Sequence, residues 1–168
     1  MNRFRVILLV LLAPLLLTAC FTSETPLIGP KDAVFPYETI VFRSMDRPED
    51  RQTWDHSGDI YRFAPDGGDK AMSMRLKPIG DDLFVVQMEG PDDKPPAVLY
   101  ALLKVDIANM TAESHSAIMP DDFEPTPGLS VRDDMVRVDD LDAYIAYARA
   151  RMAAGVPADV VYKIIALE

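Results

Sequence analysis

The chain has 168 residues, one cysteine, two histidines, and 27 Asp and Glu against 17 Lys and Arg. That length suits one hydrophobic core, and the formal charge of −10 lacks the basic surplus that neutralises phosphates, so nucleic acid and anionic headgroups are poor partners. The lone cysteine excludes an intramolecular disulfide, and an apolar content of 49% argues against a wholly disordered chain.

Residues 1–19 read as a targeting segment, with Arg3 and Arg5 before an apolar run from Val6 to Leu17 that only Pro14 interrupts. The run is shorter than the roughly 20 residues a helix needs to span a bilayer. Ordinary signal cleavage after Ala19 would put Leu17 where a small residue is wanted. Leu17-Thr18-Ala19-Cys20 instead resembles the lipobox of bacterial lipoprotein precursors. The resemblance implies cleavage before Cys20, acylation of Cys20 through sulfur and amine, and membrane contact through those chains. Phe21, where an Asp would favour the inner membrane, implies the periplasmic face of the outer membrane. Cys20 would then have no nucleophilic or metal-binding role. The implied organisation is a signal at 1–19, an acylated N-terminus and flexible tether at 20–36, and a single domain at 37–168. Pro26, Pro30 and Pro36 suit a tether, although Leu27-Ile28 and Val34-Phe35 are apolar enough to dock part of it.

From Thr39 the pattern turns strand-like. Thr39 to Arg43 is short and β-branched, Arg47 to Arg51 is a polar loop, and Ile60 to Phe63 precedes the turn signal Pro65-Asp66-Gly67-Gly68. Met72, Met74 and Leu76 alternate with Ser73, Arg75 and Lys77, which puts one face in a core. Pro78 to Asp82 closes a hairpin onto Leu83 to Met88. Ala97 to Val105 is apolar on both faces, as in a strand covered on each side, and Pro95-Pro96 before it favours strand over buried helix. Thr111 to Ile118 is a weaker strand, followed by a proline-rich loop.

The spacing of Leu141, Tyr144, Ile145, Ala148 and Met152 predicts one amphipathic helix over about 140–154, capped by Asp139 or Asp140 and ended by Gly155 and Pro157. Val160 to Leu167 predicts a last strand. Hairpins in series, then a helix and a strand, predict an α+β fold: a curved antiparallel sheet, or a small partly closed barrel, with that helix against it.

Catalytic signals are sparse. Trp54-Asp55-His56-Ser57 holds the residue types of a hydrolytic triad, but four neighbours cannot converge as a triad does, and the stretch reads as a turn held by local hydrogen bonds. His115 reads as a partly exposed residue of an edge strand. Nucleophile elbow, zincin, dinucleotide and P-loop motifs are missing, and zinc would need more Cys and His than the chain has. The acid pairs Asp81-Asp82, Asp92-Asp93, Asp121-Asp122, Asp133-Asp134 and Asp139-Asp140 read as turn and cap residues. Asp121, Asp122 and Glu124 are the densest acids and the first choice for a weak metal site. Trp54, Tyr61, Phe63, Phe84 and Tyr100 lie on or beside predicted strands and could line a cavity, although core packing is the commoner use of aromatics in a small sheet.

These readings point to a lipid-anchored envelope lipoprotein without cofactor, acting by contact with an envelope protein partner. A module for a small apolar or lipidic ligand is the alternative, and a carboxylate-based hydrolase ranks third.

Overall fold

The computed structural model describes residues 20–63, 71–90 and 98–168. The targeting segment, the Pro65 to Gly68 turn, Asp92-Asp93 and the Pro95-Pro96 pair lie outside them.

The described residues form eleven strands and one helix in chain order: β1 Phe21–Ser23, β2 Thr39–Ser44, β3 Arg51–Ser57, β4 Ile60–Phe63, β5 Met72–Gly80, β6 Leu83–Glu89, β7 Val98–Asp106, β8 Thr111–His115, β9 Leu129–Arg132, β10 Met135–Val138, α1 Leu141–Ala153 and β11 Val160–Leu167. Strands β2 to β8 pair each with the next, all antiparallel, and β11 fits antiparallel between β8 and β2. The ladder therefore returns to its start as a closed barrel of eight strands, so of the two expected arrangements the barrel is found, with its helix near the end of the chain. Register shifts at Pro78/Gly80 and Ile164/Ala166 supply the local bends that closing so small a ring requires.

Alternation along the strands sorts side chains between two cores. Phe42, Trp54, Tyr61, Met74, Leu76, Val86, Leu103 and Ile164 face the lumen and form one buried cluster. The opposite faces of β6 and β7 present Val85, Val98, Tyr100 and Leu102 to a second cluster outside the barrel. That is why residues 98–105 read as apolar throughout: β7 is covered on both sides.

The cover over the second cluster is β1, the β9–β10 hairpin and α1. β1 pairs antiparallel with the first residues of β7 and parallel with β10, forming a small side sheet. Asp140 caps α1 by accepting a hydrogen bond from the Asp142 amide at 2.9 Å. Tyr144 and Ala148 are its buried face, and the Tyr144 ring lies 5.2 Å from Phe21 and 5.9 Å from Tyr100. Gly128 sets how closely the helix start can approach. A Cβ there would stand 2.7 Å from that of Asp140 and 2.8 Å from that of Ala143, at a φ of +87°.

Leu27-Ile28 and Val34-Phe35 dock on the domain, and Phe21 docks with them. Phe21 and Ile28 are fully buried, the Val34 amide donates to the Leu76 carbonyl, and Phe35 stacks on His56 with ring centroids 4.5 Å apart. Burying a side chain such as Phe21 contributes about 1.5–3 kcal/mol, which exceeds the roughly 1–2 kcal/mol cost of ordering its backbone.

Two local readings are corrected. Trp54-Asp55-His56-Ser57 is not a turn but the second half of β3, where Ile40 faces Trp54 and His56 faces Tyr61. A ladder on each side satisfies that backbone more completely than local side-chain bonds could. His115 is neither exposed nor on an edge, because β8 has β7 on one side and β11 on the other and the residue is 7% exposed. The proline-rich loop is found where it was expected, and the β9–β10 hairpin, which the sequence did not suggest, follows it at Leu129.

Candidate functional site

Side chains fill the barrel incompletely. Among the described residues, two partly open cavities of about 120 Å³ and 180 Å³ lie in the lumen. The smaller lies toward the start of β3 and β5 and is lined by Phe42, Gln52, Trp54, Phe63, Met88 and Tyr162 among others. The larger lies toward the other end, between Tyr37, Ile40, Leu76, Phe84, Val105 and Leu167. Phe42 and Leu103 line both, so they stand between them. For scale, a cavity of about 150 Å³ lined by aliphatic and aromatic side chains stays dry and takes up benzene.

Their walls differ in polarity. The larger cavity has Tyr37 and Asp82 as the polar residues of its described lining. Around the smaller one stand Gln52, Ser114, Tyr162 and Trp54. Burial pushes the Tyr162 phenol above its ordinary value, and the neighbouring Gln52 side chain partly opposes that shift. Trp54 is 7% exposed, with its ring tilted 64° to Phe42 at 4.8 Å. Its buried indole N–H meets no acceptor among the described residues. A buried donor left so costs about 1–3 kcal/mol, and tryptophan usually finds a partner.

The five aromatic candidates divide three ways. Trp54 and Phe63 border the smaller cavity and Phe84 the larger. Tyr61 is sealed in the lumen wall, its hydroxyl donating to the Tyr37 carbonyl at 2.6 Å. Tyr100 points away from the lumen into the outer core, where its hydroxyl lies 2.8 Å from Ser23 Oγ. Phe42, Gln52, Met88, Leu103 and Tyr162 complete the walls without having been singled out. Their signal was present as inward positions of period two, but only a closed ring tells which inward positions face a void.

The polar candidates do not assemble a catalytic group. His56 uses Nε2 on the Gly58 carbonyl at 2.9 Å and has Nδ1 3.5 Å from Glu38, while Asp55 accepts from Thr39 Oγ1 at 2.9 Å. His115 has Nε2 3.3 Å from Glu113, and Ser116 gives its carbonyl to the Tyr144 hydroxyl at 3.1 Å. The recess bordered by His115, Ser116, Arg151 and Asp159 measures about 20 Å³, room for one water. Asp121, Asp122 and Glu124 are exposed, and among the described residues no three His, Cys, Asp or Glu side chains stand close enough to hold a metal ion.

Cys20 immediately precedes β1. It pairs with Ile118, its carbonyl accepts from the Val136 amide at 3.1 Å, and partial burial raises its thiol pKa. Among the described residues, no helix is long and apolar enough to cross a membrane. No protein-family model, curated protein or solved structure matches the chain.

Proposed function

We propose that this chain is an exported lipoprotein of the bacterial envelope, anchored through acylated Cys20 at the periplasmic face of the outer membrane, whose barrel takes up a small apolar ligand. One observation carries the ligand reading: among the described residues the lumen keeps two partly open apolar cavities. Apolar walls that face unfilled space forgo contacts a closed interior would make. A barrel serving only as a spacer has no use for such a loss, whereas a ligand restores the missing contacts on binding.

Contact with an envelope protein is the second reading. It draws on Ile118, Val131 and Met135, exposed apolar side chains on the pairing partner of Cys20 and on the adjoining β9–β10 hairpin. Native mass spectrometry of the full chain released from membranes tests between the two. A small apolar adduct is expected, and a chain that carries none and takes up no fluorescent hydrophobe would leave the protein-contact reading. The anchor has its own test, since Cys20→Ser should abolish fatty-acid labelling and block processing; continued labelling would remove the lipoprotein reading.

A further inference from the structure

The two cavities are not equivalent, and Trp54 makes the difference. Its side chain lines the smaller one, is more than nine-tenths buried, and holds an N–H with no acceptor among the described residues. Buried side-chain donors are satisfied in the large majority of cases, so an exception in a cavity wall points to a group that arrives with the occupant. Gln52 and Tyr162 on the same wall lie close enough to interact with each other.

Charge narrows the occupant further. The described lining contains no Lys, Arg or His, so a carboxylate or phosphate would be desolvated without a counter-charge. Met74 and Met88 on the same wall are flexible enough to adjust to an irregular apolar outline. The volume, near 120 Å³, sets the size at about six non-hydrogen atoms by comparison with the benzene-binding cavity. We infer that this end of the lumen binds a small neutral molecule with an apolar body and one oxygen acceptor, a ketone, ether or ester, and that Trp54 Nε1–H holds the acceptor.

This inference rests on the ligand-binding reading, and one experiment separates their failures. Trp54 is the chain's only tryptophan, so the full chain in lipid nanodiscs gives a single indole N–H resonance. Cyclopentanone and methylcyclopentane, close isosteres with and without a carbonyl, serve as probes. Cyclopentanone should move the indole proton downfield and methylcyclopentane should not. Trp54→Phe should raise the cyclopentanone Kd about fivefold while changing that of methylcyclopentane by less than about twofold. Binding of both probes with an unmoved indole proton would overturn the inference and leave the lumen reading standing. If neither probe binds, the lumen reading falls and this inference with it. Should Trp54→Phe fail to fold, the indole shift on the unaltered chain still decides.

Discussion

Gln87 is fully buried on the outer face of β6, an unusual place for an amide, and it works as a clamp. Its Oε1 accepts from the Leu27 amide at 2.9 Å and the Ile28 amide at 2.7 Å, and its Nε2 donates to Glu89 at 3.0 Å. Gln87→Leu keeps the volume but strands the Ile28 amide, at about 1–3 kcal/mol, and leaves the Leu27 amide only its 3.2 Å bond to the Tyr100 hydroxyl. The urea midpoint should therefore drop by more than an ordinary surface change would cause. A loss under about 0.5 kcal/mol would mean that the segment after β1 is held by burial of Phe21 and Ile28 alone. Side chains such as this show where residue-level reading stops. The acid pairs were legible as turn formers: Asp81-Asp82 and Asp133-Asp134 both sit at positive φ between paired strands, in the manner of type I′ hairpins. A lone Gln in an apolar run gives no sign of the chain that will cross over it.

Among the elements, α1 is the one whose start rests on a single side chain. Asp140→Ala removes the acceptor for the Asp142 amide and should cost about 1 kcal/mol in a thermal or urea melt, while Asp140→Asn, still able to accept, should cost much less. Equal losses would assign the effect to charge at the helix N-terminus instead of the cap. The helix, the β5–β6 hairpin and β11 were legible because each is long enough to show its period. β1, with three residues, and β9 and β10, with four each, are shorter than any window in which alternation can be read. β3 was obscured by Asp55, His56 and Ser57, residue types common in turns, although Gln52, Trp54 and His56 alternate correctly for a lumen face. The cavity-lining aromatics were legible as strand residues. Which of them face the void depends on closure, a property of the ring that no segment carries.

At the scale of the whole molecule, buried phenols link stability to alkaline pH. Tyr144 is enclosed by both helix and barrel, and burial, with a lesser contribution from Asp159, raises its pKa well above the ordinary value near 10. Tyr61, Tyr100 and Tyr162 are shifted the same way, each mainly by burial. A raised acid pKa means that the folded chain keeps protons the unfolded chain begins to release near pH 10. The stabilisation is therefore complete below that pH and is lost as pH rises above it. Urea midpoints should hold steady from pH 8 to 9 and fall from pH 10 upward, and Tyr144→Phe should flatten that fall. Identical slopes in the two proteins would show that Tyr144 takes no part.

Closure by β11 also dictates the order in which the molecule can become itself. Ile40 faces Leu167 and Ser114 faces Val160, so the ring is completed by the last element in chain order, joined to the first and last strands of the preceding meander. Such distant pairings are entropically slow to form. Until they do, β2 and β8 are bare edges able to recruit a strand from another chain. A copy that loses residues 160–168 to a protease before folding is then an open sheet with two adhesive borders instead of a weakened barrel, and its expected fate is aggregation.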